Sequence, residues 1–458
     1  MTSEEFRTYA HEAVDWMADY FSHPENYPPI PRIQPGELID ALPCCGPEKG
    51  EPMSAILEDF RTKIVPAGTN WQHPGVLAYF PASASGAGIL GEMLAAAMNM
   101  NGMAWLTSPA VVELEQVALA WLRRWIHLPD DMFGMIFDSA SVSTMHAIAA
   151  AREMAAPQAR AEGNPGDLVL YTSEQSHYSV EKGAMTLGLG QKNVRRIAVD
   201  DQFRMRPDAL AAAMARDRQD GLRPFCVVAT VGTTCTSSID PVDEIADVAG
   251  PYGAWLHVDA AYAGAAAIAP EFRHTLRGVD RADSFVVNPH KWLFTPVDIS
   301  AFYTRRPEVL RRAFSLNPQG SNGEDAPRVV NFMEYGVPLG RRFRALKLWF
   351  VLRHHGREGI AEIIRHQIGW AQELGRQVDA EPRFERVAPT PFSTVCFRLK
   401  GTNEENHMLL KRVNASGEVL LSSTVLNGRY CIRVAILNMS TTREHVQRAW
   451  ELVRAHAS

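Results

Sequence analysis

The sequence has no run of about 18 apolar residues, the length that a membrane-spanning helix needs, so no segment is expected to cross a membrane. Its first residues also lack the charged and then apolar pattern of a secretory signal. The cysteines show neither CxxC nor paired Cys/His spacing, which excludes the common zinc and redox motifs. We therefore expect reduced thiols, no metal and a cytoplasmic location. The cysteines are Cys44, Cys45, Cys226, Cys235, Cys396 and Cys431.

Basic tracts, charged tails, repeats and low-complexity segments are missing as well. Basic and acidic residues are interspersed and the net charge is −6, so nothing indicates nucleic-acid binding or disorder. What remains is a chain of 458 residues, 46% hydrophobic and 21% charged, long enough for two or three domains. We predict an N-terminal helical segment over 1–80, a large α/β domain over 81–377 and a small α+β domain over 378–458.

Three local predictions concern parts of these domains. Small hydroxyl residues after the strand ending at Phe137 predict a helix over 146–154. They indicate either an anion site before it or a plain serine N-cap, and the residues alone favour the cap. Thr441 and Glu444 have the spacing of a capping box that opens the last helix. The arginines at 341, 342 and 344 form a charge cluster, which is typical of a solvated face.

A lysine stands at the end of an apolar run, where a surface residue is unexpected. Phe285 to Val287 reads as a strand, and Asn288-Pro289-His290-Lys291-Trp292 follows at once. A partly buried lysine has a lowered pKa and can act as a neutral amine, which condensation with a carbonyl requires. The alternative is a strand end with a solvated lysine, and this stretch alone does not decide between them.

A second apolar run, Trp255 to Val258, ends in Asp259, one strand crossover before the lysine. Both residues would then lie at the carboxyl ends of parallel strands, where α/β sheets bind ligands. An aspartate beside a pyridine nitrogen keeps that nitrogen protonated, and a lysine amine holds an aldehyde. Together they indicate a pyridoxal phosphate (PLP) site.

These strings resemble the group II PLP-dependent amino acid decarboxylases, the family of aromatic L-amino acid decarboxylase. The similarity covers nearly the whole chain. It is carried by Asn288-Pro-His-Lys-Trp292, His257-Val-Asp-Ala-Ala-Tyr-Ala-Gly264, Gly232-Thr-Thr234 and Pro338-Leu-Gly-Arg-Arg-Phe-Arg344. The resemblance implies an α/β fold of the type I PLP-dependent transferase class, like aspartate aminotransferase. That fold has a mainly parallel seven-stranded sheet and a small α+β C-terminal domain.

The resemblance also implies roles for individual residues. Lys291 would hold the cofactor aldehyde, Asp259 would pair with the ring nitrogen, and His177 would stack on the ring as the third catalytic residue. The other implied cofactor-binding residues are Ala140, Ser141, Thr234, Ala261, Asn288 and His290. Asp138 stands where the family usually has glycine, and an acid near a phosphate is unfavourable unless its side chain turns away. The N-terminal segment would pack on a partner subunit in a homodimer; a helix folded onto its own domain is the alternative.

The implied substrate pocket departs from the family pattern. Trp71, Tyr79 and Phe80 match residues that line the substrate side chain. Ala82, Asn101 and Met103 stand where the aromatic enzymes have Thr, Ile and Phe. Losing an aromatic wall and gaining an amide argues against a simple catechol or indole substrate, and a polar or thioether-bearing one is as plausible. Neutral drift at these positions is the alternative.

The loop before the arginine cluster lacks the family's proton-donating tyrosine. Gly320 falls at its position, and no tyrosine occurs between Tyr303 and Tyr335. General acid catalysis contributes roughly 10²–10⁴-fold in rate, so its loss lets the Cα carbanion follow another course. We therefore predict decarboxylation of an L-amino acid coupled to oxidative deamination, which gives an aldehyde. Plain decarboxylation to an amine, β-elimination of a thiol from a cysteine conjugate and a PLP-binding scaffold without turnover stay open.

Overall fold

The computed structural model describes residues 1–81, 83–316 and 329–457, without the side chain of Glu25. These residues group into two compact units. The larger unit comprises Ala82–Arg376 and Arg386–Cys396, and the smaller one comprises Met1–Pro81, Gln377–Glu385 and Phe397–Ser458. The three-part division predicted from the sequence stays a prediction. No helix in the described part of the chain is both long and apolar enough to cross a bilayer.

The described residues of the larger unit form a seven-stranded sheet of order β1-β7-β6-β5-β4-β2-β3. Strands β2 to β6 run parallel, whereas β7 is antiparallel to both β1 and β6. This confirms the mainly parallel sheet expected from the sequence. The strands are β1 Phe133–Phe137, β2 Leu168–Ser173, β3 Val194–Ile197, β4 Arg223–Thr230, β5 Trp255–Asp259, β6 Ser284–Val287 and β7 Ser300–Thr304.

The central strands are buried on both faces, which explains why they read as continuous apolar runs rather than as alternating patterns. Helices cover the sheet, and α7 packs against β4 to β7. In chain order the helices are α1 Ser3–Ser22, α2 Glu37–Ala41, α3 Met53–Asp59, α4 Val65–Ala67, α5 Gly86–Met98, α6 Pro109–Trp125, α7 Ala140–Ala155, α8 Ala159–Glu162, α9 Ser179–Thr186, α10 Pro207–Gln219, α11 Val242–Ala249, α12 Pro289–Trp292, α13 Pro307–Phe314, α14 Arg344–Ala380, α15 Asn403–Ala415 and α16 Arg443–His456.

Helix α5 packs closely at Gly91 and carries exposed apolar side chains elsewhere. A Cβ at Gly91 would lie 2.7 Å from the Lys347 Cα, so only glycine lets α5 and α14 approach this closely. We call the exposed apolar side chains of this helix the exposed face of α5. They are Leu90, Met93, Leu94 and Met98.

The smaller unit contains the N-terminal helices and most of a four-stranded sheet, which has the order β10-β11-β9-β8 in the described residues. Its strands are β8 Phe384–Arg386, β9 Thr394–Leu399, β10 Ser422–Leu426 and β11 Arg429–Ala435. Strands β10 and β11 form an antiparallel hairpin. Helix α1 is capped by Thr2 and Glu5, and none of its residues is buried in the chain as described.

Two predicted element boundaries were wrong. Helix α7 begins at Ala140 rather than at residue 146, because Ser139 caps it and its Oγ accepts from the Val142 N–H at 3.4 Å. The box that opens α16 is Thr442 with His445, one residue after the predicted pair. Thr441 is instead buried and donates to the Pro74 carbonyl at 2.7 Å. The two adjacent threonines therefore indicated that a cap is present, but the sequence did not show which of their hydroxyls caps the helix.

Candidate active site

Lys291 lies in the one-turn helix α12, directly after the buried strand β6. Its backbone N–H donates to the Asn288 carbonyl at 3.0 Å, and the Asn288 N–H donates to the Ala261 carbonyl at 2.9 Å. These bonds connect the segments that follow β5 and β6, so they hold the backbone of Lys291 in place. Its side chain is half-buried beside the wholly buried Trp292, whose ring stacks on Tyr262.

Asp259 is the last residue of β5 and is only 6% exposed. Its Oδ1 accepts from the Ala261 N–H at 3.0 Å. The parallel register places Thr230, Asp259 and Val286 side by side on β4, β5 and β6. The acid and the lysine therefore emerge from neighbouring strands, as the sequence predicted. The crossover between those strands consists of 3₁₀ turns rather than an α-helix.

His177 follows β2 at the same edge of the sheet. Its Nδ1 accepts from the Ser179 N–H at 3.2 Å and lies 2.8 Å from the Ser179 hydroxyl, so a neutral ring carries its proton on Nε2. Burial lowers the pKa of His177; the charge of Asp259 opposes this shift, and Lys291 adds to it. The structure thus brings His177, Asp259 and Lys291 within electrostatic reach of one another.

The N-terminus of α7 lies beside the ends of these strands. Ala140 packs with Ala261 and Val286 in one buried cluster, while the Ser141 side chain is exposed. The first N–H groups of a helix have no intrahelical acceptor and form a positive end, which suits an anion. The Asp138 carboxylate accepts a hydrogen bond from the Ser139 hydroxyl at 2.9 Å, so its charge is engaged by the cap residue.

Asn288 and His290 provide a polar wall with spare hydrogen-bonding capacity. His290 Nδ1 accepts from the Ile299 N–H at 3.0 Å, which places the ring proton on Nε2, 3.2 Å from the Asn288 amide. Burial and the charge of Lys291 lower the pKa of His290 to about 4. Asn288 Nδ2 is the atom beside Nε2, and Oδ1 is buried without a partner among the described residues. Because Nε2 carries the proton, turning the amide by 180° lets Oδ1 accept from it and leaves the NH₂ as the buried group that lacks a partner. A buried polar atom of this kind fits a ligand that supplies the missing bond.

Thr234 lies in the turn after β4, which begins at Gly232 with φ +86°. A Cβ at Gly232 would lie 2.4 Å from the Ala263 Cβ, so the turn needs glycine both for its backbone conformation and for its close approach to the segment after Asp259. Thr234 is half-buried there. The residues expected to hold PLP thus lie at or just after the ends of β1, β2, β4, β5 and β6.

The expected pocket residues fall into separate groups. Asn101 and Met103 lie in the larger unit, where Asn101 Oδ1 accepts from the Arg341 N–H at 2.9 Å and Asn101 Nδ2 lies 3.5 Å from the Met103 sulfur. In the smaller unit, the Arg433 guanidinium lies 4.5 Å from the Phe80 ring centroid and donates to the Tyr79 carbonyl at 2.6 Å.

Trp71 and Tyr79 have ring centroids 6.2 Å apart in the same unit. Ala82 and Gly320, also assigned to the pocket from the sequence, lie outside the described residues.

The arginine cluster is not one solvated face. Arg342 is 60% exposed, but the Arg341 side chain is 6% exposed and its Nη2 donates to Glu115 Oε1 at 2.7 Å. Arg344 pairs with Asp298 at 3.1 Å. Sequence reasoning missed this buried pair because the three arginines have the same local pattern. The Glu115 partner lies on α6, far away in the chain.

Residues 35–400 match the model of the pyridoxal-dependent decarboxylase conserved domain. The chain is 39% identical to phenylacetaldehyde synthase of Arabidopsis thaliana, covering 100% of this chain and 97% of that protein. It is 41% identical to tyrosine decarboxylase 3 of Petroselinum crispum, covering 99% and 92%. Among solved structures, Oryza sativa TDC with PLP and tryptamine superposes with a TM-score of 0.96 at 36% identity, covering 100% of this chain and 98% of that one.

Proposed function

The chain belongs to the pyridoxal-dependent decarboxylase family, and from this premise we propose that it removes the carboxylate of an L-amino acid and releases an aldehyde. The cofactor is PLP and the protein is a carboxy-lyase. The observation that carries the aldehyde product is the absence of tyrosine between Tyr303 and Tyr335, with Gly320 at the expected position of the donor.

When bound, PLP supplies an electron sink for the bond that breaks at Cα. Lys291 would hold the cofactor aldehyde through its amine, and Asp259 would pair with the ring nitrogen and keep it protonated. The buried position of Asp259 strengthens its attraction for a positive nitrogen, because little solvent screens it. His177 would support the cofactor ring with its imidazole.

The phosphate of PLP would bind at the N-terminus of α7. The backbone N–H groups of Ala140 and Ser141 would donate to it. The Asn288 NH₂ would donate as well once the amide oxygen accepts from the His290 Nε2–H. His290 orients that amide through Nε2, Thr234 and Ala261 line the cofactor, and no cation other than Lys291 is assigned to it. Neutral donors therefore carry most of the phosphate recognition.

Aldehyde formation needs an oxidant, and dioxygen is the one proposed. The balanced reaction consumes one amino acid, one O₂ and one water, and yields the aldehyde, CO₂, ammonia and hydrogen peroxide. Two electrons pass from the substrate to oxygen in place of a proton delivered to Cα. Without a tyrosine poised at Cα, protonation is slowed by roughly 10²–10⁴-fold, which gives oxygen time to react.

An aerobic reaction that measures CO₂, ammonia, peroxide, aldehyde and amine together tests this proposal. We expect peroxide and aldehyde in equal amounts, each matching the CO₂ released. The variant Gly320→Tyr should shift the product toward amine, whereas Gly323→Tyr, a matched change in the same stretch, should not. Amine alone from the unaltered protein contradicts the aldehyde proposal.

A simple decarboxylase is the second candidate, and His177 favours it. Ser179 engages Nδ1 and leaves the Nε2 proton for another partner, so the imidazole could protonate Cα in place of the tyrosine. The similarity to tyrosine decarboxylase 3 supports the same outcome. In that case His177→Asn should suppress amine and raise peroxide. Thiol release from S-substituted cysteines without CO₂ would instead indicate β-elimination.

The substrate is proposed to be aromatic, although the sequence argues against a simple catechol or indole substrate. The oxygen of Asn101 already accepts from the Arg341 backbone, which removes one reason to expect that its amide reads a polar substrate. The similar proteins are named for phenylacetaldehyde and tyrosine. Comparing kcat/KM for phenylalanine, tyrosine, tryptophan and methionine tests this choice.

We further propose that the working form is a homodimer. The exposed apolar face of α5 and the exposed apolar side chains of α1, which has no fully buried residue, are surfaces that a monomer would leave in water. Both are accounted for if a second copy covers them. Sedimentation of the purified protein at micromolar concentration tests this directly.

A further inference from the structure

A chain of buried polar side chains runs behind Asp259, between the sheet and α7. Trp255 Nε1 donates to Ser284 Oγ at 2.8 Å, and that oxygen lies 2.9 Å from His257 Nδ1. On its other side, His257 Nε2 lies 3.4 Å from Thr144 Oγ1. All four side chains belong to residues that are 0% exposed. Burying so many polar groups is costly unless each of them is satisfied.

Two members of this series, Thr144 and His257, lie near the two parts of the proposed cofactor site. Thr144 lies one helical turn after Ala140, where α7 presents its N-terminus. His257 precedes Asp259 by two residues on β5, so both side chains point to the same face of the sheet. The imidazole therefore lies between the phosphate-binding helix and the acid that faces the ring nitrogen.

We propose that His257 is a positioning residue that fixes Asp259 relative to the N-terminus of α7, so that one ligand is held at both its ring nitrogen and its phosphate. The proposal rests on the roles given above to Asp259 and α7. Trp255 can only donate, whereas the Ser284 and Thr144 hydroxyls can donate or accept. The neutral imidazole is consequently satisfied in either tautomer, and its ring is held from both sides.

The neutral state of His257 is part of this role. Complete burial lowers the pKa of His257 to about 4, although the charge of Asp259 works in the opposite direction. A cation at this place would form an ion pair with Asp259 and compete with the pyridinium for its charge. A neutral ring holds the strand and the helix together without that competition.

The protein offers a matched control at Ser143, one residue before Thr144 on α7. Ser143 Oγ lies 2.8 Å from Ser300 Oγ, and this bond also joins α7 to the sheet with both residues fully buried. It involves neither His257 nor Asp259. Ser143→Ala therefore removes a buried bond between the same two layers while leaving the chain behind Asp259 intact.

The experiment compares Thr144→Val, Thr144→Ser, His257→Asn and Ser143→Ala. The readouts are the Kd of PLP for the apoenzyme, the absorption band of bound PLP and the ¹⁵N resonance of ring-labelled PLP. We expect Thr144→Val and His257→Asn to weaken PLP binding about tenfold, the effect of one unsatisfied buried group, and to shift both spectra. Thr144→Ser should restore them, and Ser143→Ala should lower only the unfolding midpoint.

Two results distinguish a failure of this inference from a failure of the proposed function on which it rests. If Thr144→Val and His257→Asn behave like Ser143→Ala, with unchanged Kd and spectra, His257 has a purely structural role and the inference is overturned. The variant Asp259→Asn tests the premise: if it leaves the ¹⁵N resonance of PLP unchanged, the role of Asp259 itself fails. Thr144→Val removes one hydroxyl at nearly constant volume, so it remains informative should His257→Asn not fold.

Discussion

Arg341 and Glu115 form an ion pair in which both side chains are almost completely buried. The Nη2 to Oε1 distance is 2.7 Å, and the side chains are 6% and 2% exposed. The same guanidinium group donates to the Ile136 carbonyl at 2.7 Å and lies 4.4 Å from the Phe332 ring centroid. Glu115 in turn accepts from the Ile136 N–H at 2.8 Å. Strand β1 is thereby tied to α6 and to the segment before α14.

Removing the acid from this pair should destabilise the protein severely. Glu115→Ala leaves a buried guanidinium without its counter-charge and the Ile136 N–H without its acceptor, and we expect a loss of about 3–5 kcal/mol in the free energy of unfolding. Urea unfolding of the variant and of the unaltered protein measures the difference.

A surface pair provides the control. Asp130 pairs with Arg123 at 3.0 Å but its side chain is 88% exposed, so Asp130→Ala should cost less than about 1 kcal/mol. Equal losses for Asp130→Ala and Glu115→Ala would show that burial does not determine the strength of these pairs.

Asp138 should limit the affinity for PLP. Its carboxylate is held by the Ser139 hydroxyl at the start of α7, close to where the phosphate would bind. Asp138→Asn keeps a hydrogen-bond acceptor but removes the negative charge, so we expect PLP to bind roughly 2–10-fold more tightly, with the gain shrinking in high salt. Titration of the apoenzyme at two salt concentrations measures this effect.

The exposed Asp220 at the end of α10 is the matched control for charge alone. Asp220→Asn changes the net charge by the same amount far from α7 in the chain and should leave the Kd unchanged. A gain in affinity from both variants would assign the effect to net charge rather than to Asp138.

Three buried histidines should make the protein lose stability in mild acid. Burial lowers the pKa of His146, His257 and His290 to about 4 each, below the value of about 6.5 for an unfolded chain. As the pH falls below about 6.5, the unfolded state takes up these protons first, so each histidine costs about 1.4 kcal/mol per pH unit. Asp240 acts oppositely, because burial raises its pKa to about 7.

Together these four groups give a slope of two protons between about pH 6.5 and 5, or roughly 3 kcal/mol per pH unit, and the lowered pKa values of His177, His355 and His445 steepen it further. Urea unfolding at several pH values measures it. His146→Asn removes one titrating group and should reduce the slope by one proton, whatever it does to stability at neutral pH. A slope near zero in the unaltered protein would mean that the buried histidines titrate normally.

Local patterns predicted much of the fold, including the strand ends that carry Asp259 and Lys291. The apolar runs ending at Asp259 and before Lys291 are strands buried on both faces, so their continuous apolar pattern is visible in the sequence without knowledge of their neighbours. Arg341 differs from Arg342 through partners such as Glu115, which only the folded chain brings to it. His257 stood inside a recognised string, but its role depends on Thr144 and Ser284, which the sequence does not place beside it.

The exposed face of α5 should govern assembly. Leu94 is 49% exposed and lies one turn from Leu90 and Met98 on that face. Leu94→Glu places a charge in a surface that the proposed dimer covers, so we expect the dimer to dissociate at micromolar concentration with little change in secondary structure. Sedimentation velocity measures the mass, and circular dichroism checks the fold.

A matched change away from this face completes the test. Leu106 is 84% exposed and lies beyond the end of α5, so Leu106→Glu adds the same charge to the same unit. If α5 forms the interface, Leu94→Glu should shift the mass toward that of one chain, 50.8 kDa, and Leu106→Glu should shift it less. A dimer that survives Leu94→Glu would place the interface elsewhere, and a monomeric unaltered protein would reject assembly through α5.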